Sequence, residues 1–380
     1  MAVDWQQIRA EFPALAHSVW LNTASFGQVP LRAQAAIEQH YRLRNQLGPR
    51  DFLDWFTEAD RIREDIAQLF AVEAEDVAFI PHTSFALSLM VGAISWKTGD
   101  EVLSFENEFP NQIYAASLLQ TRGVRLRTVP LAAWRQSVTA RTRLVALSHT
   151  NYATGEHADI HSMGEALHAQ GTLLYVDGTQ TAGVRQVQFG PHPPDIYAVN
   201  GYKWMNAPPG AGFLLAPRKT REWLEPQTVG WRSHKDWRNV NQLHLGKPDF
   251  ARSAERYEGG MLPFVNLFAM RESIRLVLEI GLDAVETRVF ALANQVRDEL
   301  RTVGATPFAE GDGECGHIVA ATLPRGVDPG FVAKALEARE VLVSARHGYL
   351  RVSPHYYNNE ADVARMGDLL REVMAHASSP

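Results

Sequence analysis

The chain has 380 residues, of which 46% are hydrophobic and 21% are charged, and these ordinary globular values argue against a disordered or fibrous protein. At roughly 100–200 residues per domain, the length favours two domains. The formal net charge of −6 argues against a general nucleic-acid binder. Cys315 is the only cysteine, so neither an internal disulfide nor a cysteine-rich metal site can form.

No segment of the sequence resembles a membrane span or a signal peptide. The most apolar stretch, residues 85–96, is shorter than the ~20 residues that a spanning helix needs. The N-terminus lacks the basic start and apolar core of a signal peptide. The histidines show no spacing typical of a metal site. We therefore expect a cytoplasmic protein that binds neither membranes, nucleic acids nor a metal.

Short apolar runs alternate with amphipathic stretches in the first part of the chain, which is the pattern of an α/β fold. The predicted strands are Asp76–Ile80, Glu101–Phe105, Val124–Val129, Arg143–Ser148, Thr172–Val176, Ile196–Val199 and Gly212–Ala216. Helices are predicted at Thr57–Ala71, with Thr57 as the N-cap, at Asn111–Thr121 and at Ile160–Gln170. Strands that are apolar on both faces and joined by helices favour a mostly parallel sheet covered on both sides.

The pattern changes after about residue 217. Residues 220–260 show no clear periodicity. The elements predicted beyond them are helices at Phe264–Ile280 and Asp283–Val303, strands near His317–Thr322, Val341–Ser344 and Tyr349–Ser353, and a helix from Glu360 to Ala375. We therefore expect a smaller second domain of α+β type. The predicted boundaries are residues 17–256 for the large domain, and residues 1–16 and 257–380 for the small one.

Two residues next to predicted strands could carry chemistry. Asp177 ends an apolar strand, at the edge where parallel sheets bind ligands, although an aspartate that merely caps a loop is the commoner case. Lys203 lies between Tyr202 and Trp204, just after another strand. Most lysines are solvated surface charges, but a lysine shielded from water has a lowered pKa and can act as a nucleophile.

A third feature is the segment Pro81–Leu87, which opens a helix directly after a strand. Its free N–H groups and hydroxyls suit a phosphate, although Thr83 or Ser84 could simply cap the helix. Pyridoxal 5′-phosphate requires a lysine, a carboxylate beside its ring nitrogen and a cradle for its phosphate. Lys203, Asp177 and this segment together fit that cofactor.

Four motifs resemble the class V aminotransferase family, the group of fold-type I enzymes that contains cysteine desulfurases, kynureninases and isopenicillin N epimerase-like proteins. They are LNTASFGQVP (21–30), DGTQTAG (177–183), GYKWMNAPPGAGFLL (201–215) and LRVSPHYYNNEADV (350–363). The resemblance covers nearly the whole chain. It implies an α/β fold of fold type I, with a mostly parallel, mixed seven-stranded sheet between helices and a smaller C-terminal α+β domain. It also implies a homodimer with active sites near the subunit interface.

The resemblance implies roles for several residues. Lys203 would form the aldimine with the cofactor and move the Cα proton, and Asp177 would pair with the pyridine nitrogen. Gln180 would lie near the ring hydroxyl. The other implied cofactor contacts are Thr83, Ser84 and Phe85 for the phosphate, Phe109 for stacking on the ring, and Tyr202, Asn151 and Thr154 nearby. Phe109 could equally be a core aromatic residue.

On the substrate side, the resemblance implies that Arg351 binds a carboxylate, for which a planar guanidinium is suited. The alternative is a surface arginine on an edge strand. Asn22 and Trp231 are further substrate-binding candidates. An aromatic or apolar substrate is one hypothesis, motivated by Trp231, Trp237, Tyr257 and Phe26. The other hypothesis is a substrate with a second acidic group, bound by Arg232 or Arg346.

Two departures from the family pattern affect the expected chemistry. Cysteine desulfurases carry a cysteine shortly before the carboxylate-binding arginine, whereas this chain has SARHGYLR at 344–351. Cys315 is read as structural, at the start of a strand, so a persulfide-forming desulfurase is not expected. Met261 follows Gly260 where the family usually has a threonine or serine that reaches the phosphate of the neighbouring subunit. That contact would be lost or made only by backbone.

The sequence therefore predicts an enzyme that uses pyridoxal phosphate and acts on an amino acid through a lysine aldimine and a Cα carbanion. Aminotransferase-type chemistry is the leading hypothesis, and a β-elimination or C–S lyase, or an epimerase, is the alternative. A kynureninase proper is disfavoured because Gln180 stands where those enzymes have a histidine. A catalytically inert binding subunit stays open, although the presence of Lys203, Asp177 and Arg351 together argues against it.

Overall fold

A seven-stranded sheet forms the centre of the structure, a computed structural model that describes residues 3–242, 246–308 and 316–377. Cys315 lies outside the described residues. The strands of the described residues, in this sheet and outside it, are in chain order β1 (Val19–Trp20), β2 (Val77–Ile80), β3 (Glu101–Phe105), β4 (Arg125–Val129), β5 (Thr142–Ser148), β6 (Leu173–Asp177), β7 (Ile196–Asn200), β8 (Gly212–Leu215), β9 (Thr306–Pro307), β10 (Val319–Thr322), β11 (Val341–Leu342), β12 (Ser344–Arg346) and β13 (Tyr349–Val352).

The helices alternate with these strands in the first half of the chain and dominate the second half. They are α1 (Trp5–Ala10), α2 (Leu31–Leu47), α3 (Phe52–Phe70), α4 (Thr83–Ala93), α5 (Pro110–Ser117), α6 (Trp134–Ser137), α7 (Ile160–His168), α8 (Arg218–Arg221), α9 (Phe264–Ile280), α10 (Leu282–Thr302), α11 (Pro329–Glu337) and α12 (Glu360–Ala377). None of the helices described is long and apolar enough to cross a membrane.

The order of the central sheet is β2-β8-β7-β6-β5-β3-β4. Strand β8 runs antiparallel to both of its neighbours, and all other pairs are parallel. The prediction of a mostly parallel, mixed seven-stranded sheet is therefore confirmed. All of the strands predicted before residue 217 belong to this sheet, and no end differs from its prediction by more than one residue.

The direction of the parallel strands brings several polar residues to one edge. Ser148, Asp177 and Asn200 are the last residues of three adjacent strands, and Asp177 is paired directly with Ser148. Strand β2 runs in the same direction as β7, because both are antiparallel to β8. Its carboxyl end therefore delivers Thr83, the first residue of α4, to the same edge. Ligands of α/β sheets bind at this edge.

Helices cover both faces of the sheet. On one face α3 packs through Phe56, Ile62 and Ile66, and α9 packs beside it. On the other face α4 packs through Leu87 and Met90. The predicted cap at Thr57 is wrong, because the apolar stripe of α3 extends back to Phe52 and the helix begins there.

A second, antiparallel sheet has the order β12-β13-β10-β9. Helices α10 and α11 pack against it, and α12 packs on these two helices. Its core contains Leu300, Val319, Leu350 and Met366. Helix α9 instead contributes Leu267 and other residues to the core beside the central sheet. The domain boundaries at residues 16/17 and 256/257 stay a prediction.

Candidate active site

Lys203 lies in a tight turn directly after β7, and the N-terminal loop of residues 21–30 is seated on this turn. The N–H of Gly27 donates to the carbonyl of Tyr202 over 2.9 Å. A Cβ at Gly27 would lie only 1.9 Å from the carbonyl oxygen of Lys203, so the close approach requires glycine. Asn206, in the left-handed region at φ 56°, donates to the carbonyl of Gln28. The loop and the lysine turn therefore form one unit.

The side chain of Lys203 is 8% exposed and lies between two aromatic rings. Its Nζ is 5.6 Å from the centroid of Phe109 and 5.7 Å from that of Tyr202. Burial lowers the pKa of Lys203 to about 8; Arg351 and Arg346 lower it as well, and Asp177 opposes the shift. A substantial fraction of this amine is therefore uncharged near neutral pH.

Asp177 is the last residue of β6 and Gln180 lies in the loop that follows, and both are buried near the lysine turn. The Oδ1 atom of Asp177 accepts from the N–H of Thr179, and its second oxygen has no hydrogen-bond partner within the described ranges. Gln180 donates from Nε2 to the carbonyl of Ala24 and accepts at Oε1 from Trp204 Nε1. One oxygen of Asp177 and one N–H of Gln180 are thus left for a ligand.

The N-terminus of α4 faces the same edge. Its cap is His82, whose Nδ1 accepts from the N–H of Phe85, so a cap by Thr83 or Ser84 is wrong. The Thr83 hydroxyl oxygen instead accepts from the side chain of Asn200 over 3.0 Å. The Ser84 hydroxyl makes no hydrogen bond to any described residue. The phosphate role of the Phe85 N–H stays a prediction, since that N–H points to His82.

Glu108 is a buried residue of the site that the sequence analysis missed. It accepts from Ser148 N over 2.7 Å, from Ser148 Oγ over 2.6 Å and from the N–H of Phe109. Burial raises the pKa of Glu108 to about 7 against these hydrogen bonds, and the charge of Asp177 raises it further. These contacts fix the turn that presents the Phe109 ring to Lys203. An acidic residue just after predicted strand 101–105 was the available signal.

Asn151 and Thr154 are buried in the loop after β5. The Asn151 side chain donates to the carbonyl of Asn107 and accepts from the N–H groups of Ala153 and Thr154. Asn151 therefore ties this loop to the turn that carries Phe109, and its role as a direct cofactor contact stays a prediction.

Arg351 is 1% exposed, so the alternative of a surface arginine is wrong. Its guanidinium donates to the Ser344 hydroxyl over 3.0 Å, to the Tyr152 carbonyl over 2.6 Å and to the Ser25 hydroxyl over 2.6 Å. Asn22 Oδ1 lies 3.4 Å away. Within the described residues Arg351 has no carboxylate partner, and burial together with Arg346 lowers its pKa to about 9. Such a cation is suited to bind an anionic ligand.

Other substrate-side candidates lie elsewhere. Trp231 packs against the rings of Phe56 and Trp237 in the core beside α3. Arg232 is fully buried and paired with Glu255 and Glu258 at 2.7 and 2.8 Å, so the hypothesis that it selects a substrate acid is wrong. Trp237 and Tyr257 are each 1% exposed and belong to the hydrophobic core.

Phe26, in contrast, lies beside the lysine. Its ring is 4.7 Å from that of Tyr202 and 44% exposed. Of the aromatic candidates for a substrate contact, Phe26 is therefore the one that the structure brings to the lysine turn. Over the part of the chain that the structure describes, no group of three or more histidine, cysteine or acidic side chains could hold a metal ion.

The donor set fits pyridoxal phosphate. A buried lysine of lowered pKa lies at one edge of the sheet. At the same edge are an oxygen of Asp177 and the hydroxyl of Ser84, at the helix N-terminus, neither of which has a hydrogen-bond partner among the described residues. Phe109 supplies an aromatic face beside the lysine nitrogen. These are the groups that this cofactor requires.

Comparison with known proteins identifies the same family that the sequence motifs resemble. The profile of the family described as "Aminotransferase class-V" matches residues 19–366. The chain is 24% identical to a probable cysteine desulfurase of Methanothermobacter thermautotrophicus, over 97% of this chain and 98% of that protein. It is 28% identical to an isopenicillin N epimerase of Amycolatopsis lactamdurans, over 98% of this chain and 99% of that protein.

The fold also agrees with that of a solved structure. The apo cysteine desulfurase of Thermococcus onnurineus NA1 superposes with a TM-score of 0.87 at 20% identity, covering 99% of each chain. The resemblance inferred from the four motifs is confirmed. The chain belongs to the class V aminotransferase family of pyridoxal-phosphate-dependent enzymes.

Proposed function

We propose that the chain is an aminotransferase-type enzyme for an amino-acid substrate, with Lys203 as its catalytic base. One observation carries the proposal: a buried amine of pKa about 8 shares a site with Arg351, a buried guanidinium without a carboxylate partner in the described residues. The first group can accept a proton at neutral pH, and the second can bind a substrate carboxylate.

Lys203 and Asp177 would hold the two ends of the cofactor ring system. The unpartnered oxygen of Asp177 would take the ring nitrogen, Phe109 would pack on the ring, and the hydroxyls of Thr83 and Ser84 would take the phosphate. When bound, pyridoxal phosphate withdraws electrons from the substrate Cα and so weakens the bonds to that atom. The remaining chemistry belongs to the side chains of this chain.

The role of Lys203 is to move one proton. Its Nζ is uncharged often enough near neutral pH to take the proton from the substrate Cα. The same amine would deliver that proton, on the same side, to the cofactor carbon that holds the amino group, because return to Cα would only restore the substrate. Arg351 would bind the α-carboxylate and so fix the orientation of the substrate. Its three strong hydrogen bonds, to Ser344, Tyr152 and Ser25, hold the guanidinium in place before the substrate arrives.

The surroundings of Lys203 support transamination over epimerisation. An epimerase needs a second acid or base on the opposite side of the Cα atom. Of the two rings near Nζ, Phe109 carries no proton donor, and Tyr202 belongs to the same turn as the lysine. A single base would move the proton along one side of the substrate, from Cα to the cofactor carbon that holds the amino group, which gives transamination without inversion at Cα. The hairpin of residues 344–351 contains no cysteine, which supports the expectation that the chain is not a persulfide-forming desulfurase.

We also infer a homodimer. Large apolar side chains are exposed on α2 and in the loop before α9, including Tyr41 (48%), Leu43 (43%), Leu47 (52%) and Met261 (62%). A second copy of the chain would cover them and bring the subunit interface near the active site. Since Met261 has no hydroxyl, any contact from this position to the partner's cofactor phosphate would come from backbone.

The experiment is an absorption spectrum of the purified holoenzyme, before and after a panel of amino acids is added without a keto acid. Transamination predicts loss of the visible band of the lysine-bound cofactor, formation of pyridoxamine phosphate, and one equivalent of keto acid per site. Continuous release of ammonia would establish a lyase instead, and formation of the enantiomer would establish an epimerase. The visible band should be absent in Lys203→Ala and present in the control Lys219→Ala, which changes an exposed lysine. Absence of the band in reconstituted wild type would overturn the cofactor site.

A further inference from the structure

The hairpin of β12 and β13 carries a second arginine on the face that bears Arg351. In its register Ser344 pairs with Arg351, and Arg346 pairs with Tyr349. Side chains of a strand alternate between faces, so Ser344 and Arg346 lie on the same face as Arg351. At ~3.4 Å per residue, Arg346 lies ~7 Å further along the hairpin than Ser344. The opposite face is apolar and packs through Leu350 into the core of the second sheet.

Arg346 is an exposed cation without a carboxylate partner within the described residues. Its guanidinium donates from Nη1 to the carbonyl of Ala345 over 2.7 Å. It is nevertheless close enough to the active site to lower the pKa of both Lys203 and Arg351. The hairpin face that bears Arg351 therefore carries two arginines, whereas binding of one α-carboxylate requires only one of them.

The turn of the hairpin adds polar groups beside Arg346. His347 and Gly348 occupy the turn at φ 49° and 83°, the left-handed pair of a tight hairpin. The hydroxyl of Tyr152 lies 2.7 Å from His347 Nε2. The carbonyl of Tyr152 accepts from Arg351, and its ring lies edge-on to Phe109 at 5.2 Å. Tyr152 thus connects the hairpin turn to both the carboxylate site and the aromatic face.

We propose that Arg346, together with Tyr152 and His347, binds a second acidic group at the end of the substrate side chain, so that the substrate is an α-amino acid with an acidic side chain. This inference rests on the proposed function, because it takes Arg351 as the site of the α-carboxylate. The ~7 Å offset along the hairpin suits two acidic groups separated by a few carbon atoms. Arg346 is then a specificity-determining residue.

The first test compares the holoenzyme on matched pairs of substrates, glutamate with glutamine and aspartate with asparagine. Wild type is expected to prefer the acidic member at least tenfold in kcat/KM. Arg346→Gln should abolish that preference, mainly by raising KM for the acidic substrate. Because the same substitution also changes the pKa of Lys203, the ratio of kcat/KM within each pair is the readout. The control is Arg143→Gln, which removes an exposed arginine at the amino end of β5, on the far edge of the sheet. Equal activity of wild type on both members of each pair would overturn the inference.

A binding measurement tests the same surface without turnover. Calorimetric titration of the holoenzyme with glutarate and with pentanoate compares a dicarboxylate with a monocarboxylate of the same length. Wild type should bind glutarate at least tenfold tighter, and Arg346→Gln should bind the two acids alike. Retention of the glutarate preference in Arg346→Gln would refute the role of this arginine. Tyr152→Phe, which keeps the ring and loses the hydroxyl, should show a smaller loss of the preference.

The two proposals can fail separately. A holoenzyme that forms its visible band and transaminates only neutral amino acids would keep the proposed function and refute the acidic side-chain site. A protein that forms no visible band would refute the proposed function. In that case a glutarate preference that Arg346→Gln abolishes would still support two adjacent anion sites.

Discussion

The lowered pKa of Lys203 makes a prediction about the protein without substrate. A lysine of pKa about 8 instead of 10.5 has lost about 3.4 kcal/mol of preference for its charged form. At pH 7.4 about 20% of such a side chain is uncharged, against about 0.1% of an ordinary lysine. The uncharged amine of Lys203 is therefore roughly 200 times more abundant than that of an exposed lysine.

The assay is competitive acylation of the cofactor-free protein across a pH series, followed by mass spectrometry of the peptide of residues 201–215. The expected half-point for Lys203 is near pH 8, and acylation of the exposed Lys219 serves as the internal standard for the reactivity of the reagent. A half-point above pH 10 would refute the reasoning, because burial and the two nearby arginines would then not determine the pKa of Lys203.

Two substitutions test the physical causes of the shift. Arg346→Gln removes a positive charge that disfavours the ammonium form, so the pKa of Lys203 should rise. Asp177→Asn removes the negative charge that favours the ammonium form, so the pKa should fall further. The reasoning requires that the pKa of Lys203 shift in opposite directions in the two variants. A shift in the same direction in both would show that altered burial, not charge, had changed the lysine.

Three further predictions concern stability and assembly. Glu258→Gln should destabilise the fold by about 3 kcal/mol in denaturant titration, because it leaves Arg63 and Arg232 buried without their shared carboxylate, and an unchanged midpoint would contradict the buried network. Because the pKa of Glu108 is raised to about 7, its contribution to stability is fully present below pH 4.5 and is lost as the pH rises through 7. Glu108→Gln should remove this pH dependence of the unfolding free energy. The same dependence on pH in the variant and the wild type would refute the prediction. Leu47→Asp should yield monomers in sedimentation velocity, whereas a wild type that is itself monomeric would refute the dimer.

The central sheet could be predicted closely from the sequence. Runs such as Thr142–Ser148 are short, apolar and bounded by polar residues, and such runs in a helix-connected chain have few alternatives to a buried parallel strand. The bounds of α9 agree with the prediction at both ends, Phe264 and Ile280. The start of α3 was harder, because a threonine resembles an N-cap locally. The burial of Phe56 against distant residues decides where that helix begins.

The candidate site was predictable where a residue follows a strand and not where its role depends on distant partners. The position of Asp177 could be inferred because parallel strands end at the edge that binds ligands. Glu108 lies at the same edge, yet a glutamate in a polar loop is typical of a solvated charge. Only the contacts with Ser148, 40 residues away in sequence, show that it is buried. The His82 cap was missed for a similar reason, since two hydroxyl residues beside it are the usual caps.

The two buried arginines show why burial alone does not mark a functional residue. Arg232 and Arg351 are exposed by 0% and 1%, so burial does not separate them. The charge of Arg232 is compensated by Glu255 and Glu258, so its free energy is already lowered by the protein itself. In the described chain Arg351 is held only by neutral acceptors, so the desolvation of its charge is incompletely offset until an anion binds. A substrate carboxylate supplies that missing charge. The exposed guanidinium of Arg346 carries no such desolvation cost, and the second acidic group is inferred instead from its position beside Arg351 on the same face of the hairpin.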